Sequence, residues 1–229
     1  MRKIIITLDG FSSCGKSTLA RQLANELNYV FIDSGAMYRA ITLYFLRHRV
    51  DWNHKDEVVN ALKNINLDFQ YNAHSGKSDI YLNQEDVEVL IREMQVSNQV
   101  SSVSTVKEVR EFAVAQQQLM GKKKGIVMDG RDIGTTVFPH AELKIFVKAD
   151  LAIRVERRFK EMFEKNPNIT LDEVKNNLES RDYIDSHREV SPLKKADDAI
   201  ELDNSNLSRE KQLEIVLKWA KEIIAKADQ

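Results

Sequence analysis

Cysteine is nearly absent from this chain of 229 residues, which contains a single one, Cys14. One cysteine excludes an internal disulfide framework and a zinc site built from several thiolates. The five histidines show no spacing typical of metal ligands. The first three residues lead directly into an apolar run, which leaves no room for a signal peptide. We therefore expect a cytoplasmic protein in a reducing compartment.

An excess of charge of one sign is also absent, because 34 lysines and arginines face 35 aspartates and glutamates, a formal net charge of −1. This balance excludes a general attraction to nucleic acids or anionic membranes. No apolar run reaches the roughly 18 residues that a membrane span needs. Apolar residues make up 42% of the chain, which is typical of a globular protein. We expect a monomer that binds neither nucleic acid nor membrane.

No internal repeat, low-complexity segment or long flexible linker interrupts the chain. Apolar runs predict strands at 4–8, 29–32, 125–128, 143–147 and 199–202, and helical patterns lie at 18–27, 37–48, 150–165, 170–187 and 207–227. Strands that alternate with helices favour a parallel sheet covered on both faces. The sequence thus predicts an α/β fold, the three-layer arrangement of a phosphate-loop kinase with a five-stranded parallel sheet.

Residues 51–124 break this alternation. They predict a helix at 56–64, a hairpin turning near 72–76, and helices at 91–103 and 107–120. We interpret the block as an insert that covers the mouth of the sheet. Further along, residues 153–188 carry two charged helices that could fold over the site as a lid, and Thr170 and Glu173 form a capping box at the second. The predicted divisions are a core (1–50, 125–152 and 189–229), the insert (51–124) and a lid region (153–188).

The stretch Gly10-Phe11-Ser12-Ser13-Cys14-Gly15-Lys16-Ser17 fits the phosphate-loop pattern, and it lies between a predicted strand and a predicted helix. Its glycines let backbone N–H groups converge on a phosphate. Lys16 can reach the terminal phosphates, and the Ser17 hydroxyl can bind Mg²⁺. We expect ATP to be bound by Gly10, Phe11, Ser12, Ser13, Cys14, Gly15, Lys16, Ser17 and Thr18.

Acidic residues end three predicted strands: Asp9, Asp33 and Asp129. The carboxyl ends of parallel strands form the ligand crevice in an open sheet. Asp129 follows its apolar run in the manner of a Walker B aspartate, so we expect it to hold Mg²⁺ with Ser17, directly or through water. An ordinary loop or helix-capping role is the alternative for each of the three.

Arginines recur on the two predicted lid helices. Arg154, Arg157 and Arg158 share one face of the first, and Arg181, Asp185 and Arg188 share one face of the second. Solvated helix surface is one interpretation of such charges. The other is catalytic, since a phosphoryl group that moves between two polyanions needs its charge neutralised, and forked guanidinium groups do this well.

A second substrate is suggested by residues scattered along the chain. Arg39, Arg110 and Arg131 each lie in or beside elements that face the crevice, and together they could grip another phosphate. Ser101 and Asp132 add hydrogen-bonding groups. An aspartate can accept from the exocyclic amine of cytosine, where uracil offers an acceptor instead.

Longer stretches are more specific than the phosphate loop. They are 6–18, 33–40, 91–111, 129–139, 181–188 and 191–193, which include Asp129-Gly130-Arg131-Asp132 and Arg181-Asp182-Tyr183-Ile184-Asp185. In these stretches the chain resembles bacterial cytidylate kinases, the nucleoside monophosphate kinases for CMP and dCMP, over nearly its whole length. Phe11 departs from the pattern, because many members have proline there.

The resemblance implies transfer of the γ-phosphoryl group of ATP–Mg²⁺ to CMP or dCMP, in pyrimidine nucleotide metabolism. It implies that Lys16, Arg158, Arg181 and Arg188 act in catalysis. It also implies that CMP is bound through its phosphate by Ser34, Arg39 and Arg131, near cytosine by Ser101, Arg110 and Asp132, and near the ribose by Asp185. Two interpretations remain open beside it: a kinase for another small molecule on the same fold, and a GTP-binding switch, although the chain has no Asn-Lys-x-Asp stretch to read guanine.

Overall fold

The structure is a computed structural model that describes residues 2–72, 77–164 and 166–227. Most of the hairpin turn predicted at 72–76 lies outside the described residues. The strands are β1 (Ile5–Gly10), β2 (Val30–Asp33), β3 (Leu67–Asn72), β4 (Lys77–Leu82), β5 (Glu85–Asp86), β6 (Ile126–Gly130), β7 (Leu143–Lys148) and β8 (Ile200–Asp203). The helices are α1 (Lys16–Leu27), α2 (Ser34–His48), α3 (Lys55–Leu62), α4 (Met94–Val103), α5 (Lys107–Gly121), α6 (Leu151–Phe163), α7 (Leu171–His187) and α8 (Arg209–Ala227).

Two compact units make up the chain, Met1–Phe31 with Lys123–Gln229, and Ile32–Lys122. The second unit contains α2, whereas the core predicted from sequence extends to residue 50. The physical reason is the buried face of α2, where Met37, Ile41 and Phe45 join one apolar cluster with residues of α4 and β4.

The larger sheet has five strands in the order β2-β6-β1-β7-β8, so the predicted α/β fold with a five-stranded parallel sheet is confirmed. The central strand β1 pairs in parallel with both β6 and β7. Ile6 and Leu8 of β1 are fully buried, because helices cover the sheet and leave no face of β1 to water. Leu19 and Leu23 of α1 and Val216 of α8 belong to the same core.

A smaller apolar cluster of Val155, Ile169, Val174 and Leu178 joins α6 to α7 within the first unit. The predicted capping box at the start of α7 is confirmed. The Glu173 backbone N–H donates to Thr170 Oγ1 at 3.2 Å, and the Thr170 N–H donates to Glu173 Oε2 at 2.8 Å. These bonds satisfy two N–H groups at the helix start, where no intrahelical acceptor exists.

The second unit is helical around a three-stranded sheet in the order β3-β4-β5. The helix predicted from residue 91 begins at Met94 instead, because Glu93 has an extended backbone (φ −65°, ψ 154°) after a short 3₁₀ turn, Leu90–Arg92. In the first unit, a π-helical turn at Ile133–Val137 follows β6 and was not predicted. Among the described helices, none combines the length and the apolar character that crossing a bilayer requires.

Candidate active site

The phosphate loop connects β1 to α1 through backbone that glycine permits. Gly10 has φ +150°, and a Cβ atom there would lie 2.0 Å from the carbonyl oxygen of Val147 on β7. Gly15 has φ +87° and immediately precedes α1. Residues with side chains would be strained at both positions. The two glycines therefore let the chain leave the sheet and start α1 within five residues, with the helix N-terminus at Lys16.

Lys16 and Ser17 open α1 at the edge of the sheet. The Lys16 ammonium is buried and donates to the Phe11 carbonyl oxygen at 2.7 Å within the loop. Burial lowers the pKa of Lys16, and the charge of Arg131 lowers it further. The Ser17 hydroxyl donates to Asp129 Oδ2 at 2.6 Å, so the two residues proposed from sequence as a metal pair lie together.

The three acidic residues at strand ends have three different surroundings. Asp129 contacts Ser17. Asp33 caps α2, since its Oδ1 accepts from the Ala36 N–H at 2.9 Å. Asp9 anchors the π-helical turn, with Oδ1 accepting from the Ile133 N–H at 2.8 Å and Oδ2 from the Gly134 N–H at 2.7 Å. Burial raises the pKa of Asp9 from 3.8 to about 6, although those two N–H groups favour the carboxylate.

Arg131 follows β6 and links the phosphate loop to α7. Its Nη2 donates to Ser12 Oγ at 2.8 Å, and its Nε donates to Asp185 Oδ2 at 2.8 Å. Burial works against ionisation of both partners. The charge of Asp185 nevertheless raises the pKa of Arg131, and the charges of Arg131, Arg181 and Arg188 lower that of Asp185. The pair is therefore a charged one, held beside the loop.

Asp132 pairs with Arg188 at the C-terminal end of α7. Arg188 Nη2 donates to Asp132 Oδ1 at 3.0 Å, and Arg188 Nε donates to the Ser191 carbonyl oxygen at 2.7 Å. Both side chains are buried, and so is Arg181 one turn before Asp185. The structure thus brings together Arg131, Asp132, Arg181, Asp185 and Arg188, which sequence reasoning proposed from separate stretches.

The three arginines of α6 separate. Arg154 reaches the phosphate loop and donates from Nη1 to the Ser12 carbonyl oxygen at 3.3 Å. Arg157 donates to Asn204, which follows β8, at 3.1 Å. Arg158, the one of the three that the resemblance assigns to catalysis, pairs with Glu161 on its own helix at 2.9 Å.

Three residues that the sequence analysis did not assign to a substrate site contact the phosphate loop. Arg154 and Asp182 contact Ser12, and Asn204 donates from Nδ2 to the Cys14 carbonyl oxygen at 2.7 Å. The position of each in the sequence could have indicated its role. Arg154 lies on the face that also carries Arg157 and Arg158, Asp182 adjoins Arg181, and Asn204 directly follows β8 at the carboxyl edge of the sheet.

The other four proposed CMP-binding residues lie in the second unit. Ser34 begins α2, Arg39 lies one turn further on, and Ser101 is buried on α4. Arg110 of α5 is 2% exposed; it lies over the Tyr38 ring at 5.6 Å and donates to the Ser104 carbonyl oxygen at 3.3 Å. The ring face and the carbonyl oxygen both attract the guanidinium and so help to orient it.

Comparison with known proteins gives a consistent result. A family model described as cytidylate kinase matches residues 6–222. A cytidylate kinase of Flavobacterium psychrophilum is 56% identical over 220 residues, which cover 95% of this chain and 97% of the relative. A cytidylate kinase of Bacteroides thetaiotaomicron is 56% identical over 217 residues, which cover 93% of this chain and 95% of the relative.

Among solved structures, the crystal structure of an uncharacterized protein from Eubacterium ventriosum has a TM-score of 0.51 and 11% sequence identity, covering 96% of this chain and 99% of the other. At that identity the likeness concerns the fold alone. The family match, by contrast, extends over both compact units and includes the phosphate loop and the residues around Arg131 and Asp185, and the two relatives cover 95% and 93% of this chain. The chain belongs to the cytidylate kinase family.

Proposed function

We propose that the protein is a cytidylate kinase that transfers the γ-phosphoryl group of ATP, bound with Mg²⁺, to CMP or dCMP and releases ADP with CDP or dCDP. The observation that carries the proposal is the position of Arg131. Its guanidinium is hydrogen-bonded both to Ser12 of the phosphate loop and to Asp185 of α7. A donor phosphate at the loop and an acceptor phosphate at Arg131 would therefore be neighbours, as phosphoryl transfer requires.

The donor half uses the phosphate loop, Gly10 to Thr18. ATP phosphates bind at the N-terminus of α1, where backbone N–H groups and the helix dipole favour negative charge. Lys16 leaves the Phe11 carbonyl oxygen and moves to the phosphates. The lowered pKa of buried Lys16 returns toward its ordinary value when that negative charge arrives, so nucleotide binding and ionisation of Lys16 support each other.

Mg²⁺ fits the pair formed by Ser17 and Asp129. It prefers oxygen ligands and is commonly held by one or two protein groups together with substrate phosphates and water. The Ser17 hydroxyl and the Asp129 carboxylate supply oxygens 2.6 Å apart at the start of α1. When bound, the ion would neutralise charge on the phosphates and orient them.

The acceptor half uses the seven residues that the resemblance assigns to CMP. Ser34, Arg39 and Arg131 bind the CMP phosphate, Ser101, Arg110 and Asp132 recognise cytosine, and Asp185 binds the ribose. The Asp132 carboxylate would accept from the cytosine amine. Since Asp132 and Arg188 are already buried and paired, the ion pair fixes the orientation of the carboxylate before the base arrives.

The transfer itself needs no strong general base, because the attacking oxygen belongs to a phosphate that is already anionic. That oxygen forms a bond to the γ-phosphorus of ATP while the bond to the bridging oxygen of ADP breaks. Charge on the moving phosphoryl group is neutralised by Lys16, Arg158, Arg181 and Arg188. Arg158 must leave Glu161 to take part, and this surface pair costs little to break.

A panel of nucleoside monophosphates tests the proposal. Each of CMP, dCMP, UMP, AMP and GMP is incubated with ATP and Mg²⁺, and ADP release is followed in a coupled assay. Rapid turnover with CMP and dCMP alone is expected. Equal turnover of CMP and UMP would contradict the assignment of cytosine recognition, and turnover of another acceptor alone would contradict the function.

A further inference from the structure

Ser12 of the phosphate loop has all three of its polar groups hydrogen-bonded to other segments of the first unit. Its backbone N–H donates to Asp182 Oδ1 on α7 at 3.2 Å, and its carbonyl oxygen accepts from Arg154 Nη1 on α6 at 3.3 Å. Its hydroxyl accepts from Arg131 at 2.8 Å. One residue of the loop is therefore held by both helices of the α6–α7 pair and by the segment after β6.

Arg154 and Asp182 also form an ion pair with each other, and their side chains are only 8% and 13% exposed. The Arg154 guanidinium additionally donates to the Ala149 carbonyl oxygen at 3.1 Å and lies over the Phe11 ring at 5.3 Å. Charge-assisted hydrogen bonds in a site shielded from water are strong and directional. The pair is thus a fixed clamp on the Ser12 peptide.

The clamp acts where the loop has most freedom. Gly10 and Gly15 flank it with positive φ, and Ser13 has φ +58°. A segment with such backbone would sample many conformations if nothing held it. Ser12 lies four residues before Lys16, so the clamp holds the first half of the loop. The start of α1, where phosphates bind, stays accessible to the nucleotide.

We propose that Arg154 and Asp182 are positioning residues for the donor nucleotide: by clamping the Ser12 peptide they preorganise the phosphate loop for ATP and tie α6 and α7 to it. The inference rests on the donor half of the proposed function. Preorganisation increases affinity because the cost of ordering the loop falls on folding instead of on binding. Both residues contact the loop at Ser12 and not at the start of α1, so their effect should appear in ATP binding before it appears in the chemical step.

The test compares three variants with the wild type. Asp182→Asn keeps an oxygen that can accept from the Ser12 N–H but removes the charge that holds Arg154. Arg154→Lys keeps a charge but loses the fork that reaches two acceptors. The matched control is Glu156→Gln, which removes the carboxylate of the exposed pair with Lys160 on α6. Binding of ATP with Mg²⁺ and, separately, of CMP is measured by calorimetry, and kcat and KM for both substrates are measured with saturating partner.

We expect Asp182→Asn to weaken ATP binding about tenfold, with KM for ATP rising in proportion while kcat and CMP binding stay within about twofold. Arg154→Lys should act similarly. A further variant that combines Asp182→Asn with Arg154→Lys should bind ATP no more weakly than the weaker of the two single variants, because both substitutions remove the same clamp. Glu156→Gln should bind ATP as the wild type does. A merely structural role would lower CMP binding and ATP binding together.

Unchanged ATP binding by folded Asp182→Asn would overturn the proposal. Tighter ATP binding would also overturn it, because it would show that the Asp182 carboxylate repels the nucleotide. If Asp182→Asn does not fold, Arg154→Met with Asp182→Leu removes both charges together, and its ATP affinity decides. The inference and the proposed function can fail separately. A wild type that does not phosphorylate CMP, with ATP binding that still depends on Asp182, would refute the function and retain the clamp.

Discussion

At the scale of single residues, base recognition depends on Asp132. The carboxylate is buried and already paired with Arg188 at 3.0 Å, so it is an acceptor with a fixed orientation. An acceptor suits the amine of cytosine. Uracil would place a carbonyl oxygen opposite it, and two buried acceptors facing each other are costly.

Replacing Asp132 by asparagine should therefore relax the preference for CMP over UMP, because the amide can donate to the uracil carbonyl. We expect the ratio of kcat/KM for CMP to that for UMP to fall by roughly tenfold or more. Both constants are measured with ATP and Mg²⁺ held saturating. Asn also leaves Arg188 with an oxygen partner, which limits the loss of stability.

The exposed Asp172 of α7 provides the control for this substitution. Asp172→Asn changes the same functional group on an element of the same unit and should leave the CMP-to-UMP ratio unaltered. A ratio for Asp132→Asn that matches the wild type, in a protein that still turns over CMP, would show that cytosine is read by other groups.

At the scale of secondary-structure elements, the sequence predicts those features that depend on residues close together in the chain. Apolar periodicity locates the strands of the first sheet and most helices, and the capping box of Thr170 and Glu173 needs only residues three apart. The π-helical turn at Ile133–Val137 has no such local signal. Two of its N–H groups donate to Asp9, which lies 124 residues away from Ile133 in the chain.

The arginines of α6 illustrate the same limit. Helical periodicity places Arg154, Arg157 and Arg158 on one face, but their partners decide what each does. Arg154 reaches Ser12, Arg157 reaches Asn204, and Arg158 stays with Glu161. The first two partners come from distant parts of the chain, so no spacing within α6 could distinguish the three.

The anchoring of the π-helical turn by Asp9 makes a prediction about pH. The pKa of Asp9 is about 6 in the folded protein against 3.8 for the ordinary group, chiefly because of burial. The folded state thus binds this proton more tightly than the unfolded state. The stability it contributes is fully present below about pH 3.8 and is lost as the pH rises through about 6.

The free energy of unfolding of the wild type, relative to Asp9→Asn, should accordingly fall by about 2 to 3 kcal/mol between pH 4 and pH 7. Urea denaturation at several pH values measures it. Glu142→Gln is an opposite-sign control. Burial alone would raise the pKa of Glu142, but the Ile5 N–H and Lys124 outweigh burial and lower this pKa. The stability that the Glu142 carboxylate contributes is therefore lost as the pH falls. Parallel profiles for the wild type and Asp9→Asn would contradict the assignment.

At the scale of the whole molecule, the proposed substrate residues are divided unequally between the two compact units. The donor residues, Gly10 to Thr18, all belong to the first unit, and so do Arg131, Asp132 and Asp185. Ser34, Arg39, Ser101 and Arg110 belong to the second. ATP binding should therefore depend on residues of the first unit, and the part that the second unit plays in CMP binding can be tested separately through Arg39.

Thermal denaturation with each ligand separates these dependences, because a ligand that binds only the folded state raises Tm. At about one hundred times Kd the stabilisation is roughly 2.7 kcal/mol. We expect Lys16→Ala to lose most of the ATP-dependent rise in Tm and to keep the CMP-dependent rise. Arg39→Met, which keeps the length of the side chain and removes its charge, should do the reverse. If Arg39→Met retained the full CMP-dependent rise, the second unit would not bind the CMP phosphate through this residue.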